Sequence, residues 1–209
     1  MCFQEGIMIA QLTMAGLVRP CEKSAAWLYD LALVLGGSVL IAMCTQIAVG
    51  HPVPWTGQTF AVLMVGALLG SRRGALSVLM YLLEGSAGFP VFSHGRAGLA
   101  VFFGPTGGYL IGFVLAAYLV GRLAERGWDR RLATTVLAMA LGNAVLYGCG
   151  LAWLTCLVHL FGRSLGSVLA IGLYPFLPGE VVKIALATAL LPAGWRLIRY
   201  FGFDKMPKM

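Results

Sequence analysis

The sequence predicts an all-α integral membrane protein, and three observations carry that expectation. Only 11% of the 209 residues are charged and 59% are hydrophobic; mean hydropathy is +0.86; and the apolar residues come in long runs broken by Gly and short polar turns. An ordinary soluble domain carries roughly 25% charged residues. The runs lack the alternation of about ten-residue barrel strands, which leaves helices as the spanning structure. No separate soluble domain fits in what remains.

The elements follow in chain order. Residues 1–24 are mildly apolar, contain Glu5 and lack the basic start of a secretory signal, so they form an N-terminal extension. A first span covers about 25–49, stopped by His51-Pro52-Val53-Pro54. Two shorter apolar runs, about 57–70 and 74–85, are hinged at Ser71-Arg72-Arg73, and neither alone covers the roughly 30 Å core. The missing depth must come from the flanking Gly/Pro-rich segments, which at membrane depth can only line a cavity or be buried in protein. A fourth span covers about 105–123, a fifth 132–161 and a sixth about 179–199, with 163–177 as a connection. The membrane domain is thus 25–201, with loops at 50–58 and 86–104 and a tail at 202–209.

Six spans place both termini on one side, and charge selects the side. Twelve of the fifteen Lys and Arg residues fall with the termini, and only Arg96, Arg163 and Lys183 fall opposite. Both termini of this multi-pass protein are therefore expected to be cytoplasmic. The net charge of +7 is distributed as topology signals between apolar runs, without the basic stripe and interleaved aromatics of a nucleic-acid binder. The five Cys are scattered among apolar neighbours, and His51, His94 and His159 lack paired ligand spacing, which argues against disulfides and a metal site.

Against this background Glu180 and Lys183 stand out, an acid and a base three residues apart on one helix face. Each isolated ionised side chain costs roughly 2.5–3.5 kcal/mol at mid-helix on insertion scales, and intramembrane charge marks a substrate path. Pro178-Gly179 opens the sixth helix, which puts Glu180 in its first turn, where the dipole favours an anion; Lys183 is placed in the same turn. Asn143 and Tyr147, four apart on the fifth span, need polar partners, from another helix or from a ligand. Gly104-Pro105-Thr106-Gly107-Gly108-Tyr109 lacks the Lys-Ser/Thr ending of a phosphate loop; it is a tight turn with Tyr109 aimed either at a cavity or at the membrane interface. No nucleophile turn is recognisable, so the chain is not expected to be an enzyme. On the first span Ala32 and Gly36, with Ser38 and Ala42, make small-residue positions where another helix can pack, within this chain or from a partner.

Read together, Pro52-Val53-Pro54-Trp55-Thr56-Gly57-Gln58-Thr59, Gly66-Ala67-Leu68-Leu69-Gly70-Ser71-Arg72-Arg73-Gly74, Gly88-Phe89-Pro90-Val91-Phe92, Gly104-Pro105-Thr106-Gly107-Gly108-Tyr109 and Phe176-Leu177-Pro178-Gly179-Glu180-Val181-Val182-Lys183 resemble the BioY family. These are the biotin-binding S components of energy-coupling factor (ECF) transporters. The resemblance implies a bacterial cytoplasmic membrane as the location, six helices, cytoplasmic termini and high-affinity capture of biotin from outside, with residues 51–58 as a lid. It implies no cofactor on this chain, because ATP is used by two ATPase subunits that act with a transmembrane coupling subunit docking on the face of Ala32 and Gly36. The sixth helix of the family opens on Pro-Gly-Asp-x-x-Lys, and here Glu180 replaces the Asp, displacing the charge by roughly 1.5 Å, one C–C bond.

The ligand chemistry suits these residues. The ureido ring of biotin offers two N–H donors and one carbonyl acceptor, so Glu180 can accept while Lys183 donates to an oxygen, of either the ureido group or the valerate chain. Trp55, Phe89, Phe92 and Tyr109 could cover the bicycle and chain, and Thr56, Gln58, Ser93 and Asn143 are further polar candidates. A stand-alone, gradient-driven carrier of biotin or a related small molecule is the competing reading, in which the charge pair would relay protons.

Overall fold

The computed structural model describes residues 13–20, 22–49, 55–160 and 165–201; His51 to Pro54, most of the N-terminal extension and the 202–209 tail lie outside them. Seven α-helices follow one another: α1 Lys23–Gln46, α2 Gln58–Leu69, α3 Ser71–Ser86, α4 Gly107–Glu125, α5 Leu132–Leu160, α6 Leu165–Gly172 and α7 Leu177–Tyr200. Between α1 and α2 the two-residue strands β1 (Ala48–Val49) and β2 (Trp55–Thr56) pair antiparallel, Ala48 opposite Thr56. This hairpin at the base of the expected lid loop was not foreseen, because two-residue strands carry no periodicity.

Among the described residues, four stretches are long and apolar enough to cross a membrane: Lys23–Gln46, Gly107–Glu125, Leu132–Leu157 and Val168–Tyr200. Of the six expected spans, four thus meet that criterion. The difference lies in α2 and α3. At 12 residues α2 is about 18 Å long, and α3 carries Arg72, Arg73 and Glu84 within 16 residues. The short α2 is largely apolar and, apart from the half-buried Phe60, is buried from Gln58 to Ala67, as a helix at the centre of a bundle must be. It packs against α1, α3, α4 and α7.

The break between α2 and α3 falls on Gly70, one residue before the expected hinge, with φ at 91°, a left-handed region that glycine tolerates. The chain doubles back there: Gly66 and Gly74, four residues either side, touch, and a Cβ on Gly74 would sit 2.8 Å from the Gly66 Cα. Ser71 and Arg72 then form the first turn of α3. Glu125, at the end of α4, caps that turn through Oε1, which accepts from the Ser71 backbone N–H at 2.8 Å and from its hydroxyl at 2.7 Å. Glycine also sets the helix spacing: a Cβ on Gly66 would lie 2.6 Å from the Ala117 carbonyl oxygen of α4, and one on Gly112 3.0 Å from that of Leu146 on α5.

The segment expected only as a connection, 163–177, contains α6, and α7 starts at Leu177, two residues before the expected Gly179. Glu180 therefore stays in the first turn of α7, whereas Lys183, seventh in the helix, moves to the second. The long loop after α3 is pinned inward by Phe92, 2% exposed, whose ring meets Tyr81 and Phe102 edge-on at 5.5 and 5.9 Å. The Gln46 amide reaches the carbonyls of Pro90, Val91 and Phe92 at 3.3–3.4 Å, and the Trp153 indole donates to the Gly104 carbonyl at 3.0 Å. Phe92, Ser93 and Val101 of this segment are thus buried, while Phe89, Leu99 and Phe103 stay exposed, so only part of the Gly/Pro-rich segment is covered by protein.

At the opposite end, between α4 and α5, Asp129 is 2% exposed. Its Oδ2 accepts from the Trp195 indole N–H of α7 at 2.5 Å, and the Arg130 guanidinium lies 4.6 Å from the centre of that ring. Burial pushes the Asp129 carboxyl up from 3.8 to about 6, against the smaller opposing effects of Trp195 and Arg130. Between those values the native protein holds a proton that the unfolded chain has lost. Asp129 therefore contributes stability below about pH 4 that disappears as pH rises through about 6. Compared with Asp129→Asn in pH-dependent thermal unfolding, the parent is expected to lose an additional amount on the order of 2 kcal/mol across that window; parallel profiles would refute the assignment.

Candidate functional site: a cavity backed by a buried charge pair

A cavity lies among α2, α3, α4, α5 and the loop after α3, and contains about 520 Å³ of empty space, part of it continuous with the outside. Its apolar wall is built by Tyr81, Phe92, Phe113, Tyr109, Tyr147 and Phe176. Tyr109 and Tyr147 meet edge-on at 6.0 Å, and Tyr147 and Phe176 lie 6.3 Å apart. The Tyr109 hydroxyl donates to the Gly172 carbonyl at 2.8 Å. Its direction, left open by the sequence, is therefore inward, locked onto the end of α6.

One polar side of the cavity is the start of α2. Thr56, Gln58 and Thr59 line it. The Gln58 amide donates to the Tyr81 hydroxyl at 2.8 Å, which in turn donates to the Val91 carbonyl at 3.3 Å. Thr59 joins the cavity to the charge pair. Its hydroxyl donates to Glu180 Oε1 at 2.8 Å and accepts from Lys183 Nζ at 2.8 Å, while Lys183 donates to the same Glu180 oxygen at 2.7 Å.

The three groups close a triangle between α2 and α7, elements 121 residues apart in sequence. The Glu180 side chain is 6% exposed and that of Lys183 22%. Glu180 Oε2 is buried with no hydrogen-bond partner among the described residues, while the Tyr147 phenol faces the same carboxylate. A buried carboxylate with one oxygen satisfied and the other unmet suits a polar N–H donor.

The other polar side comes from the loop after α3. Ser93 is 6% exposed, and its hydroxyl accepts from the Arg96 guanidinium at 2.9 Å; Arg96 Nε donates to the Ser93 carbonyl at 3.1 Å. Arg96 lines the cavity. With its fork held by Ser93, it presents a cation at one edge of a mostly aromatic space.

Of the residues expected from sequence, Thr56, Gln58, Phe92, Ser93 and Tyr109 line the cavity, and Glu180 and Lys183 connect to it through Thr59. Asn143 is 7% exposed and sits one helical turn before Tyr147 on α5, outside the cavity lining; neither atom of its amide has a partner among the described residues. Phe89, 61% exposed, is not part of the wall. The Trp55 side chain lies outside the described residues. Sequence reasoning missed Thr59 and Arg96. Thr59 was legible only as the last residue of an ordered motif, and Arg96 only as one of three basic residues on the sparsely charged side. On α1, Ala32 and Gly36 are exposed, and a Cβ on Gly36 would meet nothing within 4 Å. Ser38 instead turns inward and donates to Glu84 of α3 at 2.9 Å.

Fold and site together define a helical membrane protein with an aromatic-lined cavity beside a buried charge pair. The profile of the BioY family matches residues 14–200, and the chain belongs to that family. Similar proteins include a biotin transporter BioY of Rhizobium etli, 38% identical over 73% of this chain and 83% of that one. Another, of Thermotoga maritima, is 34% identical over 66% and 79%. The crystal structure of an S component for biotin from an ECF-type ABC transporter superposes with a TM-score of 0.69 at 24% identity, covering 84% of this chain and 95% of that one. That likeness is one of fold.

Proposed function

We propose that this chain captures biotin from outside and delivers it across the cytoplasmic membrane as the substrate-binding subunit of an ECF-type transporter. The observation that carries this reading is the Thr59–Glu180–Lys183 triangle, with its unmet carboxylate oxygen, adjoining an aromatic cavity. Family membership and the biotin-transporting relatives supply the ligand. The ureido group lies toward the triangle: Glu180 Oε2 accepts from a ring N–H, Lys183 donates to the ureido carbonyl, and Tyr109 and Tyr147 flank the bicycle. The valerate carboxylate lies toward Arg96, whose guanidinium matches it in charge and shape. Thr56, Gln58 and Ser93 are polar contacts along the way.

The test is titration of the detergent-solubilised protein with biotin. Arg96→Ala is expected to weaken binding roughly tenfold or more, the loss of a charge-assisted contact of about 1.5–3 kcal/mol. The same substitution should barely affect binding of a biotin amide that lacks the carboxylate. Equal losses for acid and amide would move the carboxylate away from Arg96.

Six membrane segments, with α2 and α3 as the short pair and both termini cytoplasmic, suit the distribution of basic residues. Energy for release comes from a coupling subunit and two ATPase subunits that use ATP. The exposed Ala32–Gly36 face of α1 offers the coupling subunit a close helix contact. Gly36→Leu is accordingly expected to leave biotin affinity of the isolated chain unchanged and to lower ATP-dependent uptake. Uptake in cells lacking the ATPase subunits, abolished by an uncoupler, would instead favour a gradient-driven carrier.

A further inference from the structure

A second and larger hollow opens at the other end of the molecule, in the groove between α1 and α3 below the α2–α3 reversal, with about 2010 Å³ of empty space, part of it open to the surroundings. Its head is lined by four arginines, Arg19, Arg72, Arg73 and Arg122, against two carboxylates, Asp30 and Glu125. Asp30 is engaged by Arg19 and Arg73, each at 2.8 Å, and Glu125 by Arg122 at 3.3 Å. Arg72 is exposed and forms no ion pair among the described residues. The head of the groove therefore retains a surplus of positive charge.

From that head the groove becomes apolar. Leu31 and Val34 on α1 face Leu76, Leu79 and Leu83 on α3 across it. From Arg73 to Leu83 the trough runs about 15 Å along the helix, the depth of one leaflet of a roughly 30 Å hydrocarbon core. A small anion would use the arginines and leave the trough unused. An apolar helix would use the trough and leave Arg72 without a counter-charge.

We propose that this groove binds one anionic phospholipid, with the phosphate on Arg72, supported by Arg73 and Arg122, and an acyl chain along the α1–α3 trough. The site is separate from the biotin cavity and shares no lining residue with it. Its arginines stand at the end where the basic residues of the chain collect, the side on which anionic headgroups attract such clusters.

The test is native mass spectrometry of the full chain released from nanodiscs of phosphatidylglycerol and phosphatidylcholine, with lipid retention scored per protein. Preferential retention of phosphatidylglycerol is expected, reduced roughly fivefold by Arg72→Ala and further by Arg72→Glu, in line with the contribution of one basic residue near a charged membrane. Leu79→Gln should weaken retention with every arginine intact, and an unchanged thermal midpoint of each variant excludes misfolding. Equal retention of the two lipids, or retention unaffected by Arg72→Glu, overturns the proposal. So does displacement by millimolar inorganic phosphate, which would mark a simple anion site. Binding seen only after deletion of residues 1–12 overturns it too, because that segment would then be the occupant.

Discussion

Lys183→Ala is expected to weaken biotin binding by roughly 30-fold or more. Truncating one partner of a buried hydrogen-bonded charge pair costs about 2–5 kcal/mol in a complex, and Lys183 is the cation of the pair, 2.7 Å from Glu180 and 2.8 Å from Thr59. Without it Glu180, 5% exposed, loses its cation and keeps the Thr59 hydroxyl and the facing Tyr147 phenol, both neutral. The carboxylate must then take up a proton or draw in water, and either change alters what it offers to a ureido N–H. Titration calorimetry on the folded fraction measures the effect. Binding equal to the parent would exclude Lys183 from the site.

Glu180→Gln should be equally damaging, since an amide replaces the acceptor-only carboxylate that both Lys183 and the ligand require. Glu180→Asp is the informative conservative change. It keeps the charge, restores the acid usual in the family motif and withdraws the carboxylate by roughly one C–C bond, about 1.5 Å. Withdrawn by that distance, the Asp carboxylate is expected to lose the 2.8 Å contact with Thr59. Thr59→Val isolates that contact from the ligand side.

The second large effect is on stability. Gly66→Ala is expected to destabilise the protein by about 1–3 kcal/mol, the usual cost of overpacking. Its Cβ would stand 2.6 Å from the Ala117 carbonyl oxygen and 3.0 Å from the Ala117 Cα, and backbone atoms of a packed helix cannot swing aside as a side-chain end can. At about 2–4 °C per kcal/mol for a chain of this size, the thermal midpoint in detergent should fall by several degrees. Gly36→Ala is the matched control, because nothing lies within 4 Å of its Cβ. A midpoint for Gly66→Ala matching that of Gly36→Ala would mean that α2 and α4 are more loosely packed than described.

Much of the candidate site is legible in the sequence because a membrane makes charge conspicuous. Glu180 and Lys183 stood out through their cost in lipid, and the order of the Gly/Pro motifs supplied a family. Thr59 was not legible: a threonine in an apolar helix carries no such penalty, and its role exists only because α2 brings it to α7. Arg96 was hidden for a related reason, since topology treats a loop arginine as a signal of sidedness, while its place at the cavity depends on Phe92 pinning the loop.

By itself the sequence determined the class of this protein, a helical membrane chain, along with the approximate places of its long helices, the acid–base pair and the family. These rest on local properties, namely composition, hydrophobic run length and spacing along one helix, which each segment carries alone. Only the tertiary structure decided that the hinge falls at Gly70, that α2 lies buried at the centre, that Tyr109 points inward and that Thr59 joins the charges to the cavity. Each of those depends on contacts between segments distant in sequence, where glycine-to-backbone approach and polar satisfaction in a dry interior select one packing.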